Sequence, residues 1–370
     1  MKRTGLPIGS GRGVLRRYLS RELISRVTAT SLILVAMMEI LALLEQLTPI
    51  LDRHLGVGGV LYFLALRIPL LLGSVFPLSV LIGALIMLVQ MTTANEIAIL
   101  RAAGLSTPAL VRLLLPGVMG LALVSAVIDD QVTPRAELAL ARWWNATDPH
   151  PETGHTFWFR SGTTLIDVGY ITRGGQATGK LDLYQRDPSG RLNRVVHFED
   201  AQFVKDAWTG RGGRQLTVSQ ATVDPGTFTA TPADAGWPSR LRPADLVRLS
   251  MDSPPLAAST MVAILLDRLP SSQPPSYFRT ALLDRALLPL TFIVMLLMAM
   301  PVVYIPPRTG SRSWIPVWCL GGGLLFIVFQ GLMRALGNAG TLPALAATLP
   351  GIAIFAFGIA ALMLRIEEKS

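Results

Sequence analysis

The sequence predicts an α-helical membrane protein of six transmembrane helices with one antiparallel β domain inserted between the third and the fourth. Three observations predict it. Of 370 residues, 51% are hydrophobic and only 15% are charged, against about 25% charged in an ordinary soluble domain. The apolar residues gather into six runs, each long enough for the roughly 20 helical residues that a bilayer requires. Those runs are interrupted once, over about 133–280, by polar chain that reads as short strands separated by turns.

The runs lie at about 27–51, 60–91, 109–132, 284–305, 314–336 and 342–364. Ahead of the first stands Met1-Lys2-Arg3 and a Gly-, Pro- and Arg-rich tail to about Arg26. The first run is too long for a signal-peptide core and no small-residue cleavage site closes it, so it is read as a retained span. Glu39 and Glu45 fall within it, and Arg67 falls within the second span. Ionisable groups at membrane depth usually face a bundle interior or a cavity. Glu45 and Arg67, toward the same end of their spans, either pair or extend their heads to the interface. The second span would reach roughly 48 Å against a hydrocarbon core of roughly 30 Å, so it tilts or projects. Pro69 and Pro77 inside it are places for a kink.

Between spans two and three, residues 92–106 read as a short helix. Thr93 or Asn95 can cap it, Glu96 suits its positive N-terminal end, and Gly104 can stop it. Ile97, Leu100 and Arg101 share one face at helical spacing. Two readings stand side by side: an interfacial helix joining two spans, or a helix that docks into a partner and transmits its movement. Asp129 and Asp130 end the third span and read as solvated. Arg135 and Arg142 follow at i and i+7 on a helix continuing beyond it, where they meet either solvent or an anionic head group.

Charge placement sets the orientation. The formal net charge is +9, with Lys2, Arg3, Arg12, Arg16, Arg17, Arg21 and Arg26 in the N-terminal tail. With six spans, Arg101, Arg112, Arg308, Arg312, Arg365 and Lys369 fall on the same side, while the short loops opposite hold only Arg53. The positive-inside rule then puts both termini in the cytoplasm, and the long insert does not weigh against it. A basic cluster beside a membrane is accounted for by anionic lipid, so no nucleic acid partner is expected.

Within the insert, strands are predicted at Thr156–Arg160, Thr163–Ile171, Leu181–Gln185, Leu192–Phe198, Ala201–Trp208, Gln215–Gln220 and Ala221–Ala230, with a turn at Asp187-Pro188-Ser189-Gly190. That spacing suggests an antiparallel sandwich or jelly roll. After Pro243 the pattern turns helical, with a helix over Ala257–Leu269 and a Pro/Ser linker at 270–275. In the later spans the single cysteine, Cys319, reads as a small buried hydrophobe.

Catalytic and cofactor motifs are missing. Residues Gly174 to Leu181 nearly fit a phosphate loop but end in Leu181, where Ser or Thr would hold the metal. They are better read as a strand connection. His54, His150, His155 and His197 have no zinc-ligand spacing. No GxSxG, HExxH or paired-cysteine motif occurs. Neither a catalytic constellation, a cofactor nor an ATP site is therefore expected in this chain.

Three stretches together resemble one family. They are Phe76-Pro77-Leu78 through Gly83-Ala84-Leu85 into Asn95–Gly104, Arg285 to Pro289-Leu290 with Leu296–Pro301, and Phe157-Trp158-Phe159-Arg160. They are similar to the second span and coupling helix, the fourth span and the first β strand of the LptF/LptG lipopolysaccharide export permeases. Leu342-Pro343 and Thr348-Leu349-Pro350 resemble the LptG branch more closely. The resemblance covers nearly the whole chain. It implies residues 1–132 as an N-tail, spans one to three and the coupling helix, 133–280 as a periplasmic β-jelly-roll domain with a helical linker, and 281–370 as spans four to six. It also implies an inner-membrane ABC transporter permease paired with a paralogue (LptF, if this is LptG) and driven by a cytoplasmic ATPase dimer (LptB). Lipopolysaccharide would leave through the jelly rolls to LptC, anchored in the membrane, and the periplasmic bridge LptA. On this resemblance Asn95, Glu96, Ile97, Leu100 and Arg101 contact the ATPase. Glu45, Arg53, Arg67, Arg135 and Arg142 are the candidates for the lipid substrate, the arginines for its phosphates. The chain departs from the pattern at Leu70, where the family often has lysine. The alternatives are the permease of another lipid or lipoprotein exporter, a membrane scaffold or sensor with a ligand-binding β domain, and a membrane enzyme. The missing catalytic residues disfavour the last.

Overall fold

The structure is a computed structural model and describes residues 9–148, 156–217, 231–232, 236–237, 241–251, 256–305 and 314–367. The chain runs α1 (Gly9–Asp52), α2 (Gly56–Thr93), α3 (Glu96–Ala102), α4 (Thr107–Val127), a π-helical turn (Ile128–Val132) and α5 (Thr133–Ala146). Strands β1 (Phe157–Ser161), β2 (Thr164–Thr172), β3 (Ala177–Arg186), β4 (Leu192–Val204), β5 (Ala207–Arg211), β6 (Arg214–Thr217), β7 (Thr231–Pro232) and β8 (Gly236–Trp237) follow. Then come α6 (Pro243–Leu249), α7 (Ala258–Leu265), α8 (Pro275–Ala299), a 3-10 turn (Met300–Tyr304), α9 (Ile315–Asn338) and α10 (Ala344–Glu367).

Among the described residues, six helical segments are long and apolar enough to cross a membrane: 13–52, 56–93, 107–146, 275–304, 315–338 and 344–365. The predicted fold class therefore holds, a multi-pass helical protein with an inserted β domain. Several helices outrun their apolar cores. The tail expected to last until Arg26 is helical from Gly9, because Arg, Leu and Glu are good helix formers and Glu22 pairs with Arg26 one turn on, at 2.8 Å. Hydropathy marks the length that crosses hydrocarbon, not the length that is helical. The third span likewise continues through the π turn into α5, which carries Arg135 and Arg142 as predicted.

Two compact units share the chain, one of residues 1–42, 70–129 and 279–370 and the other of 43–69 and 130–278. The first is a helix bundle. Its core is built from Leu19, Leu23 and Val27 of α1, Val80, Leu81 and Leu88 of α2, Leu114 and Val118 of α4, Phe292 and Met295 of α8, and Phe326 of α9. In lipid, helices associate through close packing and small residues rather than through loss of water. Gly83 shows this: a Cβ there would lie 2.8 Å from the Val27 nitrogen and 2.9 Å from its Cα. Polar ties add to the packing. Gln330 donates to the Thr348 carbonyl at 3.2 Å, Arg285 donates to the Asp129 carbonyl at 3.2 Å, and Arg334 pairs with Asp284. Asp129, read as solvated, is within reach of the charges of Arg285, Arg334 and Asp284. Cys319 is buried in this bundle, as expected.

The second unit is organised by one antiparallel sheet in the order β1-β2-β3-β4-β5-β8, with β6 on β4 and β7 on β6. β4 pairs with β3 along one edge. Its other edge is divided, Arg194–His197 pairing with β6 and Asp200–Val204 with β5. Alternation puts Phe159, Ile166, Val168, Leu181, Leu183, Val196 and Phe198 on one face, against Leu246, Val247 and Leu249 of α6. Trp208 seals this core at 1% exposure, and its indole N–H donates to the Leu241 carbonyl at 2.8 Å. Trp208→Ala is therefore expected to cost about 3–5 kcal/mol. In purified protein it should be read as protease sensitivity of the β domain with the helical circular-dichroism signal preserved.

The strand expected over Ala201–Trp208 is instead two strands with a tight turn between them. Lys205 and Asp206 take φ of 50° and 63°, the pair of positive values that a two-residue hairpin turn of the I′ type requires. Neither residue is the usual Asn or Gly, so the turn carried no signal. Residues 187–190 do form the expected turn, with Asp187 accepting from Ser189 at 2.6 Å and from the Arg191 amide at 2.9 Å. The phosphate-loop look-alike lies across the β2–β3 connection and the start of β3. The helix expected over Ala257–Leu269 is shorter, at Ala258–Leu265. The predicted strand Ala221–Ala230 lies outside the described residues, as do Lys2, Arg3, His150, His155, Arg308, Arg312 and Lys369. Among the described residues, no group of three or more His, Cys, Asp or Glu is placed to hold a metal ion.

Candidate functional site

The short helix α3 is terminated at both ends by backbone geometry. Asn95 precedes it in the left-handed region, at φ 63°, and contributes no side-chain capping bond. The capping role open to Thr93 or Asn95 is thus not filled by the Asn95 side chain; Asn supplies a tolerated left-handed turn instead. At the other end Gly104 takes φ +84°. Its N–H donates to Arg101 O at 2.8 Å and the Leu105 N–H to Leu100 O at 3.0 Å, the paired bonds of a Schellman ending. Glu96 in the first turn and Arg101 in the last each oppose the helix dipole.

The face shared by Ile97 and Leu100 turns toward the bundle. Ile97 is 3% exposed within the core, and Leu100 packs partly buried against it. These two anchor α3. The large apolar side chain presented outward is Ile99, 66% exposed, which periodicity alone did not single out. Asn95 and Arg101 are exposed and Glu96 is half-buried. The Glu96 carboxylate is the leading charge acting on the Tyr18 phenol of α1. Arg101 lies over the Tyr304 ring, 4.5 Å from its centroid, and its Nη2 is 3.5 Å from Thr107 Oγ1.

The five residues expected to meet a lipid all belong to the second unit and divide into two sets. Arg53, in the α1–α2 connection, has a side chain only 9% exposed. It donates to the Trp144 carbonyl and to Thr147 Oγ1, pairs with Asp148 at 3.5 Å, and stacks over Trp144 at 4.0 Å. Burial pushes its pKa down from the ordinary value and Asp148 pushes it up; an arginine stays charged through such shifts. Arg67 lies over Phe63 at 5.2 Å, and the carboxylate it acts on is Glu137. Phe63 and Trp144 are 5.7 Å apart, and Tyr62 and Trp143 are 5.2 Å apart. One aromatic cluster thus brings Arg53 and Arg67 together, the kind of belt that sits at a membrane–water interface. The second set stays open. Glu45, Arg135 and Arg142 are exposed, and the described ion pairs do not include one between Glu45 and Arg67. Arg135 donates at 2.5 Å to the carbonyl and at 3.2 Å to the side chain of Gln131, on its own helical segment.

Comparison with known proteins supplies what geometry does not. Residues 17–365 match the family described as lipopolysaccharide export system permease LptF/LptG. The chain is similar to the lipopolysaccharide export system permease protein LptG of Escherichia coli (strain K12). The two are 23% identical over 357 residues, covering 95% of this chain and 98% of the relative. It is also similar to the protein of the same name from Haemophilus influenzae, 22% identical over 331 residues, with 86% and 89% covered.

Proposed function

The chain belongs to the LptF/LptG family of lipopolysaccharide export permeases, and from that membership we propose that it is the LptG-type permease of an ABC transporter. The transporter takes lipopolysaccharide from the inner membrane of a Gram-negative cell and passes it to a periplasmic bridge. The single observation that carries this reading is the match along almost the entire chain, spans and β domain alike. Both termini and α3 lie in the cytoplasm and the β domain in the periplasm, as the distribution of Arg and Lys between short loops indicates. Residues 1–132, 133–280 and 281–370 then serve as the first membrane part, the periplasmic part and the second membrane part.

The chemistry is consistent with the assignment. A phosphorylated, multiply acylated lipid needs apolar walls and a few arginines, since guanidinium pairs well with phosphate. Arg135 and Arg142, exposed, and Arg67, above its aromatic ring, meet the phosphates, with Glu45 beside the path. Arg53, with Nη1 bonded to Trp144 and Thr147 and Nη2 paired with Asp148, shapes that end of the first two spans. The sequence carries no complete nucleotide motif, so a partner ATPase of the LptB type hydrolyses ATP and presses on α3. Asn95, Glu96 and Arg101 are its contacts, while Ile97 and Leu100 hold the helix to the bundle. An LptF-type paralogue completes the membrane cavity, and LptC and LptA receive the lipid.

The test is purification from the native envelope with a photo-crosslinking residue at Arg67 or Arg135. The expected result is an ATPase subunit and a second permease in the preparation, and lipopolysaccharide captured by the crosslinker in cells. A chain recovered alone, with neither ATPase nor lipid, is the outcome expected of a scaffold or sensor and would overturn the transport reading. Capture elsewhere in the first two spans but never at 67 or 135 would relocate the lipid path.

A further inference from the structure

We infer that Tyr304 is a positioning residue that ties α3 to the end of α8, so that movement imposed on α3 reaches the second half of the chain. The inference rests on the reading of α3 as the helix an ATPase presses on. Three elements that are distant in sequence meet at this point. The Tyr304 hydroxyl donates to Thr107 Oγ1 at 2.9 Å across 197 positions of chain. The same Thr107 oxygen lies 3.5 Å from Arg101 Nη2, and the Arg101 guanidinium stands 4.5 Å from the Tyr304 ring centroid. Arg101 belongs to the last turn of α3, Thr107 is the first residue of α4, and Tyr304 closes the 3-10 turn after α8. A triangle of one cation, one ring and one hydroxyl therefore joins α3, α4 and α8.

Both feet of the triangle stand on rigid ground. Thr107 is 5% exposed, and Met300, Val302 and Val303 of the 3-10 turn are 0%, 0% and 3% exposed. Arg101 itself is exposed, and a long flexible side chain at a surface is ordinarily free to wander. Here it is fixed by a ring face and by hydroxyl geometry. Its own chain leads α3 only into α2 and α4; the link to α8 is made by side chains. An exposed cation–π contact corresponds to about a two- to fivefold change in an equilibrium, enough to bias which way a helix moves without holding the fold together.

The experiment uses the complete purified transporter and reads lipid released per ATP hydrolysed. Tyr304→Ala is expected to lower that ratio about two- to fivefold with the amount of bound ATPase unchanged. Tyr304→Phe keeps the ring beneath Arg101 and is expected to retain most of the wild-type ratio, a rescue that a general packing role would not single out. An unchanged ratio in Tyr304→Ala would overturn the inference. Should that variant fail to fold, Tyr304→Leu takes its place, because it fills the space and offers Arg101 no ring face. A ratio lowered in Tyr304→Leu and retained in Tyr304→Phe supports the link. A ratio equal to wild type in Tyr304→Leu sinks the proposal. Failure of the wild-type complex to contain an ATPase or to move lipid would instead remove the reading beneath it, and the two failures are told apart by the wild-type control.

Discussion

Glu96→Arg is expected to abolish recovery of the ATPase with the permease and to stop export, while membrane insertion stays normal. Glu96 opens α3 as the acidic residue of its first turn and is only half-buried. The helix itself depends on it weakly, since a carboxylate at an N-terminus contributes about 0.3–1 kcal/mol. Under the proposed function its larger contribution is to docking, where losing one partner of a desolvated charge pair costs about 2–5 kcal/mol. That corresponds to at least about a thirtyfold loss of affinity for Glu96→Ala, and charge reversal adds repulsion. The measurement is the ratio of ATPase to permease after affinity purification, beside growth of cells that depend on the variant. Normal recovery and growth with Glu96→Arg would take α3 out of the docking surface. Ile99→Asp is a useful companion, because Ile99 is the exposed large apolar side chain of the helix while Ile97 is committed to the core.

Gly83→Leu is expected to be as damaging by a different route. Nearest to a new Cβ at this position are the backbone nitrogen and Cα of Val27, besides its side chain. Side chains rotate away at modest cost, but two helical backbones can yield only by separating. Separation would break the packing of Leu23 and Val27 against Val80, Ala84 and their neighbours, and lipid tails return no hydrophobic penalty to push the helices back together. Overpacking of this kind costs about 1–3 kcal/mol where the surroundings can adjust, and more where they cannot. The expected result is loss of the folded monodisperse species in size-exclusion chromatography, with Gly83→Ala intermediate. Monodisperse Gly83→Leu protein at wild-type yield would show that α1 and α2 part here without consequence.

Much of this architecture was legible in the sequence, and each part that was not has an identifiable cause. Six spans and a β insert follow from hydropathy and period. The start of α1 did not, because a helix rich in arginine leaves no hydropathy trace. The hairpin at Lys205-Asp206 was hidden because both residues sit at positive φ without the Asn or Gly that usually announces it. At α3, periodicity correctly grouped Ile97 with Leu100 but cannot say whether a shared face looks inward or outward; only the packed bundle makes Ile97 the anchor and Ile99 the outward residue. Tyr304 had no local signal, since its partners lie some 200 positions back, at Thr107 and Arg101. The arginines of the proposed lipid path looked equivalent in sequence. Only the side-chain geometry separates Arg53, packed against Trp144, Thr147 and Asp148, from the exposed Arg135 and Arg142.

The bond from Arg53 to the Trp144 carbonyl also has a place in time. Its partner lies 91 residues downstream. At synthesis rates of about 5–20 residues per second, Arg53 waits roughly 5–18 s before Trp144 is made. Through that interval the guanidinium lacks the Trp144, Thr147 and Asp148 partners that hold it in the folded chain. Closing the bond therefore marks the moment at which the first hairpin is stapled to the end of the third helical rod, just ahead of the strands that follow.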